Sequence, residues 1–305
     1  MTLSNTFKGL AFGAAGAIAY GMNPLFTLPL YEEGLTPDSV LFYRYAGAVV
    51  FLFLLMRARR TPFGIVRREI FPLAALGALV SASSLCLFFS YNFMAAGIAS
   101  TLLFVYPVMV ALIMTFCFRE KFSALTGASI ALTCAGVALL YRGGDGAALS
   151  LPGIGLVMLS ALTYAVYIVC VNKTSLNTMD AVKLTFYAML FGAFLYVFRL
   201  NFLSELQWLP SWRALANATL LALLPTGVSF VCVARAIGFI GSTPTAILGA
   251  LEPVTAVLFG VLVFGEILTP RLSLGIALII LAVILVVAGK RACALCRLFR
   301  KRDAT

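Results

Sequence analysis

The chain has 305 residues, of which 62% are hydrophobic and only 11% are charged. Its mean hydropathy of +1.06 excludes an ordinary soluble domain, in which roughly a quarter of the residues are charged. The net charge of +11 includes a basic C-terminus beside an apolar segment, which favours anionic lipid headgroups over a nucleic-acid partner. The apolar runs are about twenty residues long, so the composition predicts an all-α integral membrane protein rather than a barrel.

Ten apolar segments follow one another along the chain with short connections between them. Each is close to the ~20 residues that cross ~30 Å of hydrocarbon as a helix. We predict transmembrane spans at about 8–30, 37–57, 69–91, 98–118, 123–141, 152–172, 180–200, 213–235, 243–264 and 270–289. The first segment has no small-residue cleavage site after a short apolar core, so we expect it to remain as the first span.

Lys and Arg residues are distributed unevenly between the two sides of this arrangement. With the N-terminus inside, most of the 22 lie in cytoplasmic loops or in the C-terminal tail. The outer segments hold only Arg142, Arg199, Arg213 and Arg271. The bias predicts that both termini are cytoplasmic. We expect a multi-pass protein of the prokaryotic cytoplasmic (inner) membrane.

The two halves of the chain resemble each other at a nearly constant offset of about 144 residues. The matched pairs are Gly9 and Gly153, Gly16 and Ser160, Tyr20 and Tyr164, Asp38 and Asp180, Ser83 and Ser229, Pro107 and Pro253, and Glu120 and Glu266. Each half contains five spans, an odd number, so the second half must cross the membrane in the opposite direction. We therefore predict two inverted five-helix repeats, 1–147 and 148–290, followed by a basic cytoplasmic tail at 291–305.

The paired motifs resemble those of the EamA-type branch of the drug/metabolite transporter superfamily. The resemblance rests on Tyr106-Pro107 followed by Arg119-Glu120, on Glu252-Pro253 followed by Gly265-Glu266, on Arg44, and on Ala-rich junctions at 91–100 and 235–243. It covers about residues 8–289. The resemblance implies a ten-helix transporter or exporter of small metabolites, commonly amino acids or related compounds.

Glu252 is the acidic residue that the predicted spans place deepest in the membrane. A charged carboxylate near the midplane costs about 2.5–3.5 kcal/mol unless it is protonated, paired or hydrated. Two functional interpretations stay open, namely that Glu252 binds a cationic group of the substrate or that it carries a coupling proton. The structural alternative is that its carboxyl satisfies backbone freed by Pro253, which cannot donate to the Gly249 carbonyl.

Arg44 lies about 10 Å inside span 2 and is the second candidate. Its guanidinium is suited to a carboxylate or a phosphate, but it could instead extend to the outer headgroups or pair with the carbonyl end of a helix. Polar aromatic and amide side chains complete the predicted cavity wall: Tyr20, Asn23, Tyr106, Tyr164 and Tyr167. The other motif residues have structural roles, with Pro107 and Pro253 shaping helices and Glu120 and Glu266 capping the helices that follow.

The predicted function is secondary transport of a small-molecule substrate, in the direction of export, by alternating access between the repeats. Proton coupling and facilitated diffusion both stay open, as does the oligomeric state. The alternative is an organellar-type sugar-phosphate or nucleotide-sugar antiporter of the same architecture, followed by a non-transporting membrane protein. Arg44 stands nearly alone as a basic residue within the spans, which favours a neutral, zwitterionic or cationic metabolite over a polyanion.

An enzyme is disfavoured because the chain has no His and places a single carboxylate deep within its spans. We expect no metal and no other cofactor. Cys293 and Cys296 form a lone CxxC in the tail, without a second pair to complete a zinc site. A channel is disfavoured too, because no recognisable selectivity filter is visible.

Overall fold

The computed structural model describes residues 3–90, 92–93, 99, 102–120, 124–140, 150–264, 270–271, 273–282 and 284–285. Within these ranges the regular structure is helical and contains no strand, which confirms the predicted all-α class for the described residues. Five helices are long and apolar enough to cross a membrane: Pro37–Ala58, Arg67–Ser90, Leu151–Lys173, Ala181–Arg199 and Trp212–Ile240. Shorter apolar helices accompany them.

The helices of the first half are α1 (Leu3–Gly21), α2 (Asn23–Glu32), α3 (Pro37–Ala58), α4 (Arg67–Ser90), α5 (Tyr106–Phe118) and α6 (Ala124–Leu140). Those of the second half are α7 (Leu151–Lys173), α8 (Ala181–Arg199), α9 (Trp212–Ala222), α10 (Ser229–Ile240), α11 (Ser242–Leu248), α12 (Leu251–Phe264) and α13 (Ser273–Ala282). A 3-10 turn at Ser175–Thr178 follows α7, and a π-helical turn at Leu223–Val228 joins α9 to α10.

Short polar side chains set the starts of several helices. The Asp180 carboxylate accepts hydrogen bonds from the Val182 and Lys183 amides at 3.0 and 3.2 Å, at the start of α8. The Ser211 hydroxyl accepts from the Ala214 amide at 2.9 Å, at the start of α9. These bonds satisfy amides that have no partner within the first helical turn, so the sequence fixes where each helix begins.

Predicted spans 1, 4 and 9 are interrupted, whereas span 8 stays helical through a π-helical turn. Span 1 divides at Met22, and span 9 divides between α11 and α12 at residues 249–250. In span 4, α5 begins only at Tyr106. A proline lies at or just after each of these interruptions. Because proline lacks an amide, a helix begins at a proline more readily than it continues through one.

Helices of the first half pack against helices of the second half throughout the described core. The main pairs are α1 with α10, α4 with α7, α3 with α8, and α4 with α8. Gly21 brings α1 against the first turn of α12, because a Cβ there would meet the Glu252 carbonyl oxygen at 2.5 Å. Small residues permit such close helix approach in membrane proteins. The contact places the C-terminal end of α1 beside the Glu252-Pro253 motif.

Candidate functional site

Glu252 lies in the first turn of α12, where only 9% of the residue is exposed. Tyr106, in the first turn of α5, donates a long hydrogen bond from its hydroxyl to Glu252 Oε1 at 3.5 Å. In the described part of the chain Glu252 forms no ion pair. The two residues are 146 apart and occupy the same position in the two predicted repeats. The structure therefore brings the counterpart positions of the motif into direct contact.

Gly249 and Pro253 shape the backbone around the carboxyl. A Cβ on Gly249 would collide with the Tyr106 hydroxyl, so only glycine leaves room for that hydroxyl here. Pro253 falls in the first turn of α12, where a missing amide removes no helical hydrogen bond. The Glu252 amide donates to the Gly249 carbonyl at 2.8 Å. Because a backbone amide already donates to the Gly249 carbonyl, the Glu252 carboxyl is not needed to satisfy it.

A small cavity opens onto Glu252. Its volume is about 10 Å³, roughly the space that one water molecule requires. Its wall includes Tyr106, Tyr164, Thr245 and Gly249, together with Gly13 and Ala17 of α1. A space of this size cannot hold a metabolite, so the described residues leave no room for a substrate at the carboxyl.

Tyr164 lies at the centre of an aromatic cluster beside this cavity. Its ring centroid is 5.0 Å from that of Tyr106 and 6.0 Å from that of Tyr167. Tyr20 stacks on it at 6.5 Å, and Phe230 of α10 meets it edge-on at 6.4 Å. Tyr20 and Tyr164 are themselves counterparts in the predicted repeats. Four of the residues predicted to line the cavity thus form one group, which we call the tyrosine cluster: Tyr20, Tyr106, Tyr164 and Tyr167.

Arg44 is fully buried on α3, with 0% of the residue exposed. Its Nε donates to the Thr226 hydroxyl at 2.8 Å, while Nη1 and Nη2 have no hydrogen-bond partner among the described residues. Its guanidinium carbon lies 5.5 Å from the ring centroid of Tyr20 and 5.9 Å from that of Phe88. Because the side chain ends inside the protein, it does not reach outer headgroups as one sequence interpretation had it.

The buried cation and the buried carboxylate contact different members of the tyrosine cluster, Tyr20 and Tyr106 respectively. Tyr20 interacts electrostatically with both Arg44 and Glu252, and so does Tyr164. Arg44 and Glu252 do not form an ion pair in the described structure. Opposite charges that remain apart offer one group for an anion and one for a cation.

The remaining predicted residues lie outside this group. Asn23 is buried at the start of α2, where its side-chain oxygen accepts from the Thr27 hydroxyl at 3.0 Å. Pro107 is buried in the first turn of α5. Glu120 is exposed just after α5, and its amide donates to the Met114 carbonyl at 3.1 Å. The predictions for Glu266, for the CxxC and for the tail at 291–305 fall outside the described residues.

Three residues of the site were not identified from the sequence: Thr226, Phe230 and Gly249. Gly249 precedes a Glu-Pro motif by three positions, and Pro225 immediately precedes Thr226, so both had a local signal of irregular backbone. Phe230 had none, because phenylalanine is common throughout the spans. Among the described residues no group of three or more His, Cys, Asp or Glu side chains is placed to hold a metal.

Comparisons with known proteins give the same family for both halves of the chain. The sequence profile of the EamA-like transporter family matches residues 7–142 and 151–288. An uncharacterized transporter of Synechocystis sp. is 30% identical over 207 residues, which make up 65% of this chain and 61% of that protein. An uncharacterized transporter of Bacillus subtilis is 24% identical over 160 residues, or 52% of this chain and 53% of that protein. Both matches span less than two thirds of the relative's own length.

The fold has a counterpart among solved structures. One crystal structure of a protein aligns with a TM-score of 0.80 over 96% of this chain and 99% of that chain. The sequence identity is 16%, so this likeness concerns the fold alone.

Proposed function

Because this chain belongs to the EamA-like transporter family, we propose that it is a secondary transporter that exports amino acids or related small metabolites. Ten spans, arranged as two inverted five-helix repeats at 1–147 and 148–290, would carry the substrate through a central site between them. The distribution of Lys and Arg supports a location in the prokaryotic cytoplasmic membrane with both termini inside.

Contacts between counterpart positions support a site at the junction of the repeats. Tyr106 bonds to Glu252, and Tyr20 stacks on Tyr164. In each contact a residue touches its own counterpart, as is expected on the axis that relates two repeats. In inverted-repeat transporters this region lies near the bilayer midplane and is formed by interrupted helices. The interruptions at Met22 and between α11 and α12 lie next to these contacts.

The proposed substrate class depends on one observation, namely that Arg44 and Glu252 are both buried but do not pair with each other. A zwitterion such as an amino acid presents one negative and one positive group, and the two buried side chains could each receive one of them. A polyanion such as a nucleotide sugar would meet Arg44 as the one buried cation in the part of the chain that the structure describes. This arrangement therefore favours amino acids over the phosphorylated compounds of the organellar-type carriers.

The small size of this cavity supports alternating access as the mechanism. With room for about one water at Glu252, the substrate cannot enter until packed helices separate. The first half of the chain contacts the second through α1 with α10 and α4 with α7, so a rocking motion would open one pair of interfaces at a time.

Counterflow in proteoliposomes tests the proposal. Vesicles that contain the purified full chain are loaded with each of the twenty proteinogenic amino acids and diluted into a trace of the radiolabelled compound. We expect at least one amino acid to accumulate transiently, and Glu252→Gln to reduce that accumulation. Exposed Glu205→Gln is the matched control and should behave as the wild type. Counterflow of a sugar phosphate but of no amino acid would contradict the proposed substrate class.

A further inference from the structure

Arg44 is fully buried, yet most of its hydrogen-bonding capacity is unused. Nε donates to Thr226, and the guanidinium interacts with Tyr20, but Nη1 and Nη2 have no partner within hydrogen-bond distance in the part of the chain that the structure describes. A buried cation is strongly disfavoured unless an anionic group compensates it, and no described carboxylate forms an ion pair with Arg44. We propose that the Nη1–Nη2 edge of Arg44 binds a single carboxylate group of the transported molecule, and that Thr226 positions this edge.

Thr226 holds the guanidinium in one orientation. Pro225 has no amide, so in a regular helix it would leave the carbonyl of Leu221, four residues earlier, without its usual donor. The Thr226 hydroxyl donates to that carbonyl at 2.9 Å, within the π-helical turn at Leu223–Val228. A hydroxyl has one proton, so its oxygen is left to accept from Arg44 Nε. The turn therefore determines which side of the guanidinium is occupied and which stays free.

The free edge matches a carboxylate in shape and in charge. Nη1 and Nη2 lie in one plane and can donate to both oxygens of a carboxylate at once. One carboxylate neutralises Arg44, whereas a phosphate dianion would leave an uncompensated negative charge in a buried site. Aromatic rings of Tyr20 and Phe88 flank the guanidinium at 5.5 and 5.9 Å and would exclude water from the pair.

The proposal rests on the transport function proposed above, because the carboxylate belongs to the substrate. Arg44 is fully buried, and it is not part of the wall of the small cavity at Glu252. The anionic group would therefore reach Arg44 only when the helices around the tyrosine cluster move apart. A binding measurement on the full chain in detergent permits this opening and does not require transport.

Thermal unfolding of the purified full chain is measured with each of the twenty proteinogenic amino acids and with the α-carboxamide of each. The amide keeps the ammonium group and the side chain but removes the negative charge. We expect the amino acids that raise the unfolding midpoint to bind at least about tenfold more tightly than their amides, as charge-assisted hydrogen bonds predict. Equal binding of acid and amide, or a failure of every amino acid to stabilise the protein, would overturn the proposal.

Variants test whether the preference for the amino acid over its amide depends on Arg44 and Thr226. Arg44→Gln should abolish the difference between acid and amide, and Arg44→Lys should retain only part of it because its ammonium lacks the planar fork. Thr226→Val should weaken binding of the acid severalfold without changing the amide, and Thr226→Ser should restore the wild-type preference. Thr219→Val is the matched control, since the exposed Thr219 hydroxyl bonds only to the Leu215 carbonyl of its own helix among the described residues.

The outcomes also separate this inference from the proposed function. If Arg44→Gln keeps the preference for the acid, the carboxylate site is wrong even when counterflow proceeds normally. Tighter binding of inorganic phosphate or glycerol 3-phosphate than of any amino acid would equally overturn it. If acid binds through Arg44 but no compound shows counterflow, the carboxylate site stands and transport is contradicted.

Discussion

The Ser229 hydroxyl donates a hydrogen bond of 2.9 Å to the carbonyl oxygen of Gly16 and so joins α10 to α1. The counterpart residues form the same bond elsewhere, because the Ser83 hydroxyl donates to the Ser160 carbonyl at 3.0 Å and joins α4 to α7. Each bond links one half of the chain to the other. A single interface geometry that occurs twice, with the halves exchanged, is what two inverted copies of one unit would produce.

These serine bonds are expected to contribute to stability. Ser229→Ala and Ser83→Ala each remove a buried side-chain donor, so each should lower the free energy of unfolding by roughly 1 kcal/mol. Denaturant titration in detergent micelles measures this. Thr219→Ala is the matched control, since its exposed hydroxyl bonds to the Leu215 carbonyl of its own helix. A loss in Thr219→Ala as large as that in Ser229→Ala would contradict the prediction.

Gly249 is expected to be essential to the contact between the two motifs. In Gly249→Ala the added Cβ would occupy the position of the Tyr106 hydroxyl and break its hydrogen bond to Glu252. We expect a destabilisation of about 1–3 kcal/mol from overpacking, together with reduced counterflow. Gly155→Ala is the control, because no atom lies within 4 Å of the added Cβ in α7. Wild-type stability and flux in Gly249→Ala would show that the two motifs do not need this close approach.

The sequence predicted the family and the helical class, and all four members of the tyrosine cluster were among the candidate residues that it indicated. The motif resemblance to the EamA-type family is confirmed by the match over both halves. Repeat matching singled out Tyr20, Tyr164, Tyr106 and Glu252 because they differ in type from the apolar residues around them. The sequence analysis did not predict the interruptions of the backbone. Hydropathy cannot detect the break between α11 and α12, because interrupted and continuous helices are equally apolar.

Thr226 shows the same limit at a single residue. A threonine in an apolar helix usually bonds a carbonyl of its own helix, and Thr226 does so. Its second hydrogen bond is with Arg44, which is 182 residues away in the chain. This bond depends on how α3 packs against the π-helical turn. Packing between distant segments cannot be read from local spacing, so this partner became evident only in three dimensions.

Removal of the buried charge should stabilise the protein when no substrate is present. Arg44 has one hydrogen bond and no described ion pair, so Arg44→Gln removes a charge that the empty site does not compensate. We expect the free energy of unfolding to rise by about 1 kcal/mol or more in the absence of amino acids, at the expense of binding. Arg235→Gln, whose side chain is half-buried against Phe12, should not gain stability. A less stable Arg44→Gln would mean that Arg44 is compensated within the protein.

The ion pair between Arg199 and Asp38 offers a test of the proposed motion. It joins the end of α8 to the start of α3 with an Nε–Oδ1 distance of 2.7 Å, so the two halves are in contact at this end of the bundle. The pair is partly exposed, and its loss should cost less than about 1 kcal/mol. Cysteines at the two positions, in a cysteine-free background, can be joined by a short bifunctional maleimide. Alternating access predicts that cross-linking stops counterflow, while modification with a monofunctional maleimide does not.

Glu252→Gln decides between proton coupling and facilitated diffusion. The Glu252 carboxyl is buried, receives a long bond from Tyr106 and has no ion-pair partner in the described core, so it can gain or lose a proton without breaking a salt bridge. We expect an imposed pH gradient to accelerate the flux of the wild type but not that of Glu252→Gln. The glutamine amide neither binds nor releases a proton at the pH values of such a gradient. Tyr106→Phe retains the carboxyl and should retain the response. If wild-type flux is the same with and without the gradient, the protein is a facilitator, and Glu252 then acts as a binding group for the ammonium of the substrate.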